Sequence, residues 1–489
     1  MVLSSILPKD GIYSAADPKS ILISSICDRI DEIKEGTLFI CHIGARFSPL
    51  AHLEEIAARG AAAILMAEAN ASSMEAPLPC FYAADLLRAE AEILKRFYEN
   101  TLTRVTLFAV TGTNGKTSTA MILAHLFHSA GIPSGYMGTL GVYLNDEELP
   151  TSNGGLTTPS AASVYQRIET LVKRGATHIV LEASSHAIAQ GRIAGLSFDS
   201  VLFTNLTEDH LDYHGTMEAY FAAKKTIFIQ AKKAIINADD DYGARLLEEL
   251  PIPCKSIAAI ADHADYSVDE LHESGTESTQ YLCRAPFGTF AVEYPLFGAF
   301  NVYNTLLAIA TAVEAGLCPD EIQRALRTVK RPKGRLERLP LSKPFSVIID
   351  YAHTPDAVKG ALKAVRRVAK GRLLALFGAG GEREREKRPK MAEIAVTLSD
   401  MVILTSDNPR GEAPSAIFSD LLSGIGAHEN YILIPNRADA IRYALGILKE
   451  NDVLLLLGKG HEEYLLVGEE KRDFSERAIV YCYFKERES

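Results

Sequence analysis

"AVTGTNGKTSTA", residues 109–120, sets a glycine-flanked lysine and hydroxyl residues directly after an apolar run. Val105 to Val110 read as a buried strand, and Met121, Ile122, Leu123, Leu126 and Phe127 recur at helical spacing. A strand, a Gly-rich turn and a helix N-terminus make an anion site, because orphan backbone N–H groups point outward there. Gly112, Thr113, Asn114, Gly115 and Ser118 would surround a phosphate chain, and Lys116 would add charge. The Thr117 hydroxyl would reach a phosphate-bound Mg²⁺. Val110 stands where the general P-loop pattern has its first glycine. The competing reading is an ordinary strand-to-helix turn. ATP is the expected ligand.

At 489 residues the chain is too long for one core, and roughly two to four domains are expected. Composition is that of a globular protein, and the net charge of −11 argues against a general nucleic-acid surface. Seven cysteines (27, 41, 80, 254, 283, 318, 482) form no close pair and no CxxC. Neither a disulfide framework nor a zinc knuckle is suggested, and a reduced, cytoplasmic protein fits. No basic-plus-apolar leader is seen, and no apolar run approaches the ~18 residues of a membrane span.

Three blocks follow from the patterning, with boundaries at 1–104, 105–331 and 332–489. The first mixes short apolar runs (Thr37–Cys41, Ala61–Met66) with helical stretches such as Leu87–Tyr98. The second alternates strands and helices, with strands at His178–Leu181, Ser200–Phe203 and Ala234–Asn237 and an antiparallel-looking section around 253–296. A basic, proline-containing connector, "VKRPKGR" (329–335), precedes the third block. There "FSVIID", "RLLALFG", "MVILTS" and "DVLLLLG" are four apolar runs, each followed by loops and helices. This is α/β grammar with mainly parallel sheets, whose ligands gather at the carboxyl ends of strands.

Polar motifs fall at those ends. Glu182 follows the strand "HIVL", and another strand runs into "TNLTEDHLDYHG" (204–215), bringing His210 to a loop. Carboxylate and imidazole beside a nucleotide are plausible Mg²⁺ ligands, although Mg²⁺ prefers oxygen. Taken singly, His210 reads as a hydrogen-bonded loop histidine and Lys224 as a solvated helix lysine. Likewise "GEREREKRPK" (381–390) reads as an exposed salt-bridged face, and Asp239, Asp240 and Asp241 as a solvated turn.

The combination is more specific. "TGTNGKTS", "LTTPS", "LEASSHAIAQGR", "TNLTEDHLDYHG", "YFAAKKTIF", "FGAFNVYN", "KGRLE", "DYAHTPDAV", "GAGGEREREKRP", "SDNPR" and "GKGHEEY" occur in the order and near the spacing of one family. The chain resembles the Mur ligases, ATP-dependent amide-bond-forming enzymes of peptidoglycan precursor synthesis, densely from about 105 to 476 and thinly before that. The resemblance implies three domains: an N-terminal UDP-substrate domain, a central P-loop mononucleotide-binding domain and a C-terminal Rossmann-like domain for the incoming amino acid. It implies use of ATP and Mg²⁺; a monomer whose C-terminal domain swings about the 329–335 connector is the default expectation. The implied substrates are UDP-N-acetylmuramoyl-L-alanyl-D-glutamate and meso-diaminopimelate, with "DNPR" the mark of members that add the latter. Lys116 would hold the β- and γ-phosphates; Thr117, Glu182 and His210 would ligate metal; Lys224 falls on the lysine the family carbamylates. Asn301 and Asn304 match asparagines near the nucleotide base, and Arg335, Asp350 and His353 would bring the third domain onto ATP. Thr157, Thr158, Ser184, Gln190 and Arg192 would hold the UDP-muramoyl dipeptide. Arg383, Asp407, Asn408, Pro409, Arg410, Gly458 and Glu462 would hold diaminopimelate, with Glu462 the partner of its ammonium.

Departures from the family pattern are local. The first domain usually carries Asp-Ser-Arg before the Gly that precedes its "LF" strand; here the stretch is "SSICDRIDEIKEG" (24–36). Ser25 and the 44–47 loop are the candidates left for the uridine end. Glu382 replaces the usual Asp of Gly-Gly-Asp-Arg, and Glu386 replaces a glycine before "KRP". Competing functions are the same ligation with L-lysine, a folylpolyglutamate synthetase-like ligase, a P-loop kinase or NTPase, and a catalytically dead homologue. The last should have lost Lys116, Glu182, His210 or Lys224, and all four are present.

Overall fold

The computed structural model describes every residue except 45–46, 74–75, 151–155, 262 and 489. Three sheets follow one another along the chain. The first has five strands, in the spatial order Ile12–Tyr13, Cys80–Ala83, Ala61–Ala67, Thr37–Cys41, Ser25–Cys27, parallel except at the Ile12–Tyr13 edge. Ser25 is on its outer strand. Asp28, just beyond, accepts from Ser160 Oγ at 2.8 Å, and Gln166 Nε2 donates to Ile26 O at 2.7 Å. These bonds tie the first sheet to the helix Ala161–Lys173 that follows "LTTPS".

The second sheet has eleven strands. Its centre is the P-loop strand, Thr106–Thr111, flanked in parallel by His178–Glu182 and Phe198–Phe203. Leu107, Phe108, Ala109 and Val110 are all buried, because helices cover both faces of a central parallel strand. Each large side chain so buried contributes about 1.5–3 kcal/mol. From this strand the chain turns first to one side (134–138 and 178–182) and then to the other (198–203). The carboxyl end of Thr106–Thr111 is therefore a topological switch point, where ligands bind in open α/β sheets. The 253–296 section is only partly antiparallel. Cys254–Ala258 pairs in parallel with its neighbours, and antiparallel pairing begins with Tyr266–Ser274, Ser278–Ala285 and Gly288–Tyr294.

The third sheet runs Glu337–Arg338, Ser346–Asp350, Val453–Leu457, Leu373–Phe377, Met401–Leu404, Tyr431–Leu433, and is parallel apart from its short first strand. The four apolar runs of the third block are its inner strands, covered by helices such as Pro355–Val368 and Arg437–Ile447. A separate hairpin, Tyr464–Val467 with Glu470–Asp473, packs beside the loop 407–410. All seven cysteines are free. Cys318 and Cys482 are exposed, one before the helix Pro319–Leu326 and the other in the helix Glu476–Glu488.

Candidate active site

At the end of Thr106–Thr111 the backbone makes the turn that glycine permits. Gly112 has φ +142°, and a Cβ there would lie 1.9 Å from Thr204 Oγ1. Gly115, at φ +88°, caps the helix Lys116–Ser129, and a Cβ there would lie 2.3 Å from Asn304 Oδ1. The turn is braced from outside: Thr113 N donates to Asn205 O at 2.8 Å and Asn114 N to Asn205 Oδ1 at 2.9 Å. Ser118 is buried in the first turn of the helix.

Two ammonium groups converge on one carbonyl. Lys116 Nζ donates to Gly112 O at 3.0 Å and Thr113 O at 2.8 Å, and Lys224 Nζ donates to Gly112 O at 2.8 Å. Burial, with the neighbouring Lys116 adding to it, drives Lys224 well below the usual lysine range, and burial also lowers Lys116. Glu182 lies alongside and is 1 % exposed. Its Oε1 accepts from Tyr136 Oη at 2.5 Å and Thr139 N at 3.0 Å. Its Oε2 accepts from the hydroxyls of Thr117 at 3.0 Å and Thr139 at 3.1 Å. His210 sits at φ +56° at the head of a short helical turn, its Nε2 3.4 Å from Asp209 Oδ2 and its ring edge-on to His186. Burial holds its imidazole below the ordinary range. No group of three or more His, Cys, Asp and Glu fit for a metal occurs among the described residues.

A cavity of about 400 Å³ opens over the turn, between the second and third sheets. Asn114, Asn304, Arg335, Asp350, His353 and Asp356 are among the residues lining it. Asn301 is not: its amide donates to Phe297 O at 2.8 Å and accepts from Asn304 at 3.0 Å, so it stands behind Asn304. Arg335 Nη2 reaches Thr117 Oγ1 at 3.1 Å from the third-sheet side, with its guanidinium over the Tyr351 ring. Asp350 accepts from Leu336 N and Ala352 N, and burial raises its carboxyl. His353 Nδ1 donates to Tyr351 O at 2.7 Å, and the residue is part of the cavity wall.

Asp239 also lines this space, and the solvated turn expected of the aspartate run is corrected here. Its carboxylate accepts from Ala259 N, Ile260 N, Ala261 N and Tyr303 Oη, while Asp240 caps the helix Asp241–Glu249. "GEREREKRPK" is only partly an exposed face. Arg388 is wholly buried, bonded to Glu412 and Asp420, and Lys390 pairs with Glu208 at 2.6 Å.

The substrate-side residues form a second group. Thr157 Oγ1 lies 3.0 Å from Thr139 Oγ1, Thr158 Oγ1 donates to Glu182 O, and Ser184 N donates to Thr158 Oγ1. Arg192 donates to Thr158 O at 2.8 Å and to Gln190 Oε1 at 2.6 Å. Ser25 is apart from them, its hydroxyl bonded to Thr37 within the first sheet. Ala45 and Arg46 of the 44–47 loop lie outside the described residues. Beside that loop His42 meets the buried Glu90 at 2.8 Å, a pair that sequence reading missed. Only a fold could bring residues so far apart in the chain together.

The third group is at the carboxyl ends of the third sheet. Arg410, at φ +51°, donates to Gly381 O at 2.7 Å, and its backbone is gripped by the hairpin through Arg410 N to Leu466 O and Gly468 N to Arg410 O. Asp407, Asn408 and Pro409 are buried beneath it. Asn408 Nδ2 donates to Glu462 Oε2 at 2.9 Å. A Cβ on Gly458 would lie 2.8 Å from Asp407 Oδ2, and Arg383 is exposed nearby on the glycine-rich loop.

Residues 110–312 match the Mur ligase middle domain, and residues 334–460 match the Mur ligase, glutamate ligase domain. The UDP-N-acetylmuramoyl-L-alanyl-D-glutamate--2,6-diaminopimelate ligase of Geobacillus kaustophilus is 36 % identical over 497 residues, spanning 100 % of this chain and 99 % of its own. This chain belongs to the Mur ligase family. Another Mur ligase of that name, from Aquifex aeolicus, is 38 % identical over 98 % of this chain and 96 % of its own. A solved Mur ligase structure of the same description superposes with TM-score 0.66 at 30 % identity, covering 97 % of both chains. MurF of Thermotoga maritima in complex with ADP shares the fold, with TM-score 0.68 at 18 % identity over 96 % of this chain and 99 % of that one.

Proposed function

We propose that this Mur ligase joins meso-diaminopimelate to the D-glutamyl carboxylate of UDP-N-acetylmuramoyl-L-alanyl-D-glutamate, cleaving ATP to ADP and phosphate, in the cytoplasm. One observation carries the reading: Arg335, from the third-sheet side, bonds to Thr117 in the phosphate turn. A phosphate cradle is thereby closed against the body that holds a cation and an anion, Arg410 and Glu462, suited to the two charges at the distal end of diaminopimelate. In this reading residues 1–104 hold the UDP end, 105–331 hold ATP, and 332–489 hold the amino acid.

A carboxylate is a poor electrophile, so it must first be activated. The γ-phosphoryl group passes to a D-glutamyl oxygen, giving an acyl phosphate and ADP. The amine then attacks the carbonyl carbon, a proton leaves the nitrogen, and the C–O bond to phosphate breaks. Positioning and charge neutralisation dominate such transfers. Lys116 leaves the carbonyls of Gly112 and Thr113 for the β- and γ-phosphates, and the N–H groups of 115–118 bind the remaining oxygens. Arg335 adds a second cation from the facing side. Asn304, packed against Gly115 of the turn, and Asp239 line the same cavity, where an amide and a carboxylate suit the nucleoside. Arg192, fixed by Gln190 and Thr158, faces the dipeptide.

The residues present fit Mg²⁺. Glu182 Oε2 is met by two hydroxyls that can rotate away, and few protein oxygens beside phosphate oxygens is the usual Mg²⁺ arrangement. Thr117 and Glu182 would hold one ion, and His210 with a carbamylated Lys224 a second; bound there, the metal neutralises phosphate charge. Two buried ammonium groups on one carbonyl repel each other, and a carbamate on Lys224 turns that repulsion into attraction to Lys116.

The test is ADP release by the purified chain. It should require the UDP-muramoyl dipeptide, Mg²⁺ and meso-diaminopimelate together, with L-lysine a far poorer substitute. ADP release with ATP and Mg²⁺ alone would favour a simple NTPase, and comparable kcat/KM for L-lysine would sink the assigned amino acid.

A further inference from the structure

The strand Val453–Leu457 ends at Gly458, and the next side chain, Lys459, is 0 % exposed. A buried ammonium must be paired. Lys459 Nζ donates to Asn408 Oδ1 at 2.9 Å and to Glu462 Oε2 at 2.8 Å, and lies 5.1 Å from the centre of the Tyr464 ring. Leu466 N also donates to Asn408 Oδ1, at 2.9 Å, while Asn408 Nδ2 donates to the same Glu462 Oε2. Two donors on Oδ1 fix the orientation of the amide, because its NH₂ in that place would face an ammonium and an N–H. Oδ1 of Asn408 and Oε2 of Glu462 are thus committed within the protein. Glu462 Oε1, with the Tyr351 hydroxyl at 3.5 Å, is the oxygen that neither Lys459 nor Asn408 engages and that can meet an incoming cation.

We propose that Lys459 is a positioning and specificity-determining residue for the incoming amino acid, acting through Asn408 and Glu462. It presents one oxygen of Glu462 to the ligand and compensates that carboxylate before the ligand arrives. A ligand end carrying both carboxylate and ammonium satisfies Arg410 and Glu462 together. A bare ammonium meets a carboxylate already paired and leaves Arg410 with backbone carbonyls but no carboxylate, so Lys459 helps to reject L-lysine.

This proposal rests on the assignment of the amino-acid site made above, and the test separates the two. The full chain and its Lys459→Met and Lys459→Gln variants are compared by thermal melting and by steady-state ADP release. For whichever variant melts cooperatively, the expected result is a diaminopimelate KM raised about tenfold or more. Its kcat should stay within about threefold, and KM for ATP and for the UDP-muramoyl dipeptide should not change. The preference for diaminopimelate over L-lysine should fall about tenfold. In a Glu462→Gln background, adding Lys459→Met should raise KM by less than about threefold, because the lysine acts through that carboxylate. Unchanged diaminopimelate KM in both single variants, a loss confined to kcat, or additive effects in the double variant would overturn the proposal alone. Wild-type chain that releases no ADP with diaminopimelate would overturn the site assignment, and this proposal with it.

Discussion

Lys116 and Lys224 share the Gly112 carbonyl, and each makes a separate prediction. Lys116→Ala removes the cation of the phosphate turn and should lower kcat by about 10³-fold, the scale of losing a principal electrostatic stabiliser. Activity within about tenfold of wild type would place the nucleotide elsewhere. Lys224→Ala should cripple turnover, and a short carboxylate such as acetate should return part of it by standing in for the carbamate; unchanged kcat would remove Lys224 from the chemistry. Arg410→Ala should raise the KM for diaminopimelate and erode its advantage over L-lysine, measured as a ratio of kcat/KM. Residues like these were legible in the sequence because short motifs hold them. Others were not. Asp239 looked like one of three solvated aspartates, yet it binds the 259–261 backbone and Tyr303. Asn301 has the same residue type and helix as Asn304, and only the direction of its side chain sets it behind the cavity.

Strand and helix periodicity located the inner strands of the second and third sheets within a residue or two of Thr106–Thr111, His178–Glu182, Ser346–Asp350 and Val453–Leu457. Burial on both faces leaves a continuous apolar run that polar loops bound clearly. Pairing partners are a different matter, because register depends on neighbours distant in the chain; hence the parallel Cys254–Ala258 inside a section read as antiparallel. The hairpin Tyr464–Asp473, half exposed and rich in charge, carried no such signal, although it clamps the 407–410 loop. The phosphate turn is the element most sensitive to one atom. Gly112→Ala would force a Cβ to within 1.9 Å of Thr204 Oγ1 at a φ of +142°. Nucleotide binding, followed by calorimetry, should be lost, while far-UV circular dichroism retains the α/β spectrum. Wild-type affinity for ATP in that variant would contradict the turn geometry.

Contacts across the cavity draw the second and third sheets together: Arg335 with Thr117, Asn114 with Asp356, and Lys390 with Glu208. These contacts differ in worth. The Lys390–Glu208 pair is exposed, at 46 % and 40 %, and such pairs contribute about 0–1 kcal/mol. Glu208→Ala should therefore change the KM for ATP by no more than about fivefold. Arg335→Ala should be far more damaging and should leave a wider radius of gyration by small-angle scattering when nucleotide and dipeptide are present. Identical scattering profiles for wild type and Arg335→Ala under those conditions would show that the arginine does not hold the closed arrangement.

The free thiols turn this closure into something observable in real time. Burial pushes Cys27 and Cys283 up to about 12 and Cys41 to about 11, so at neutral pH these hold almost no thiolate and react slowly with maleimides. Cys318 and Cys482 lie exposed on opposite sides of the 329–335 connector. A donor and acceptor dye attached to those two native positions would report the spacing of the two bodies through energy transfer. A transfer efficiency that shifts when nucleotide and dipeptide are added would register a movement of the two bodies, and an unchanged one would count against it.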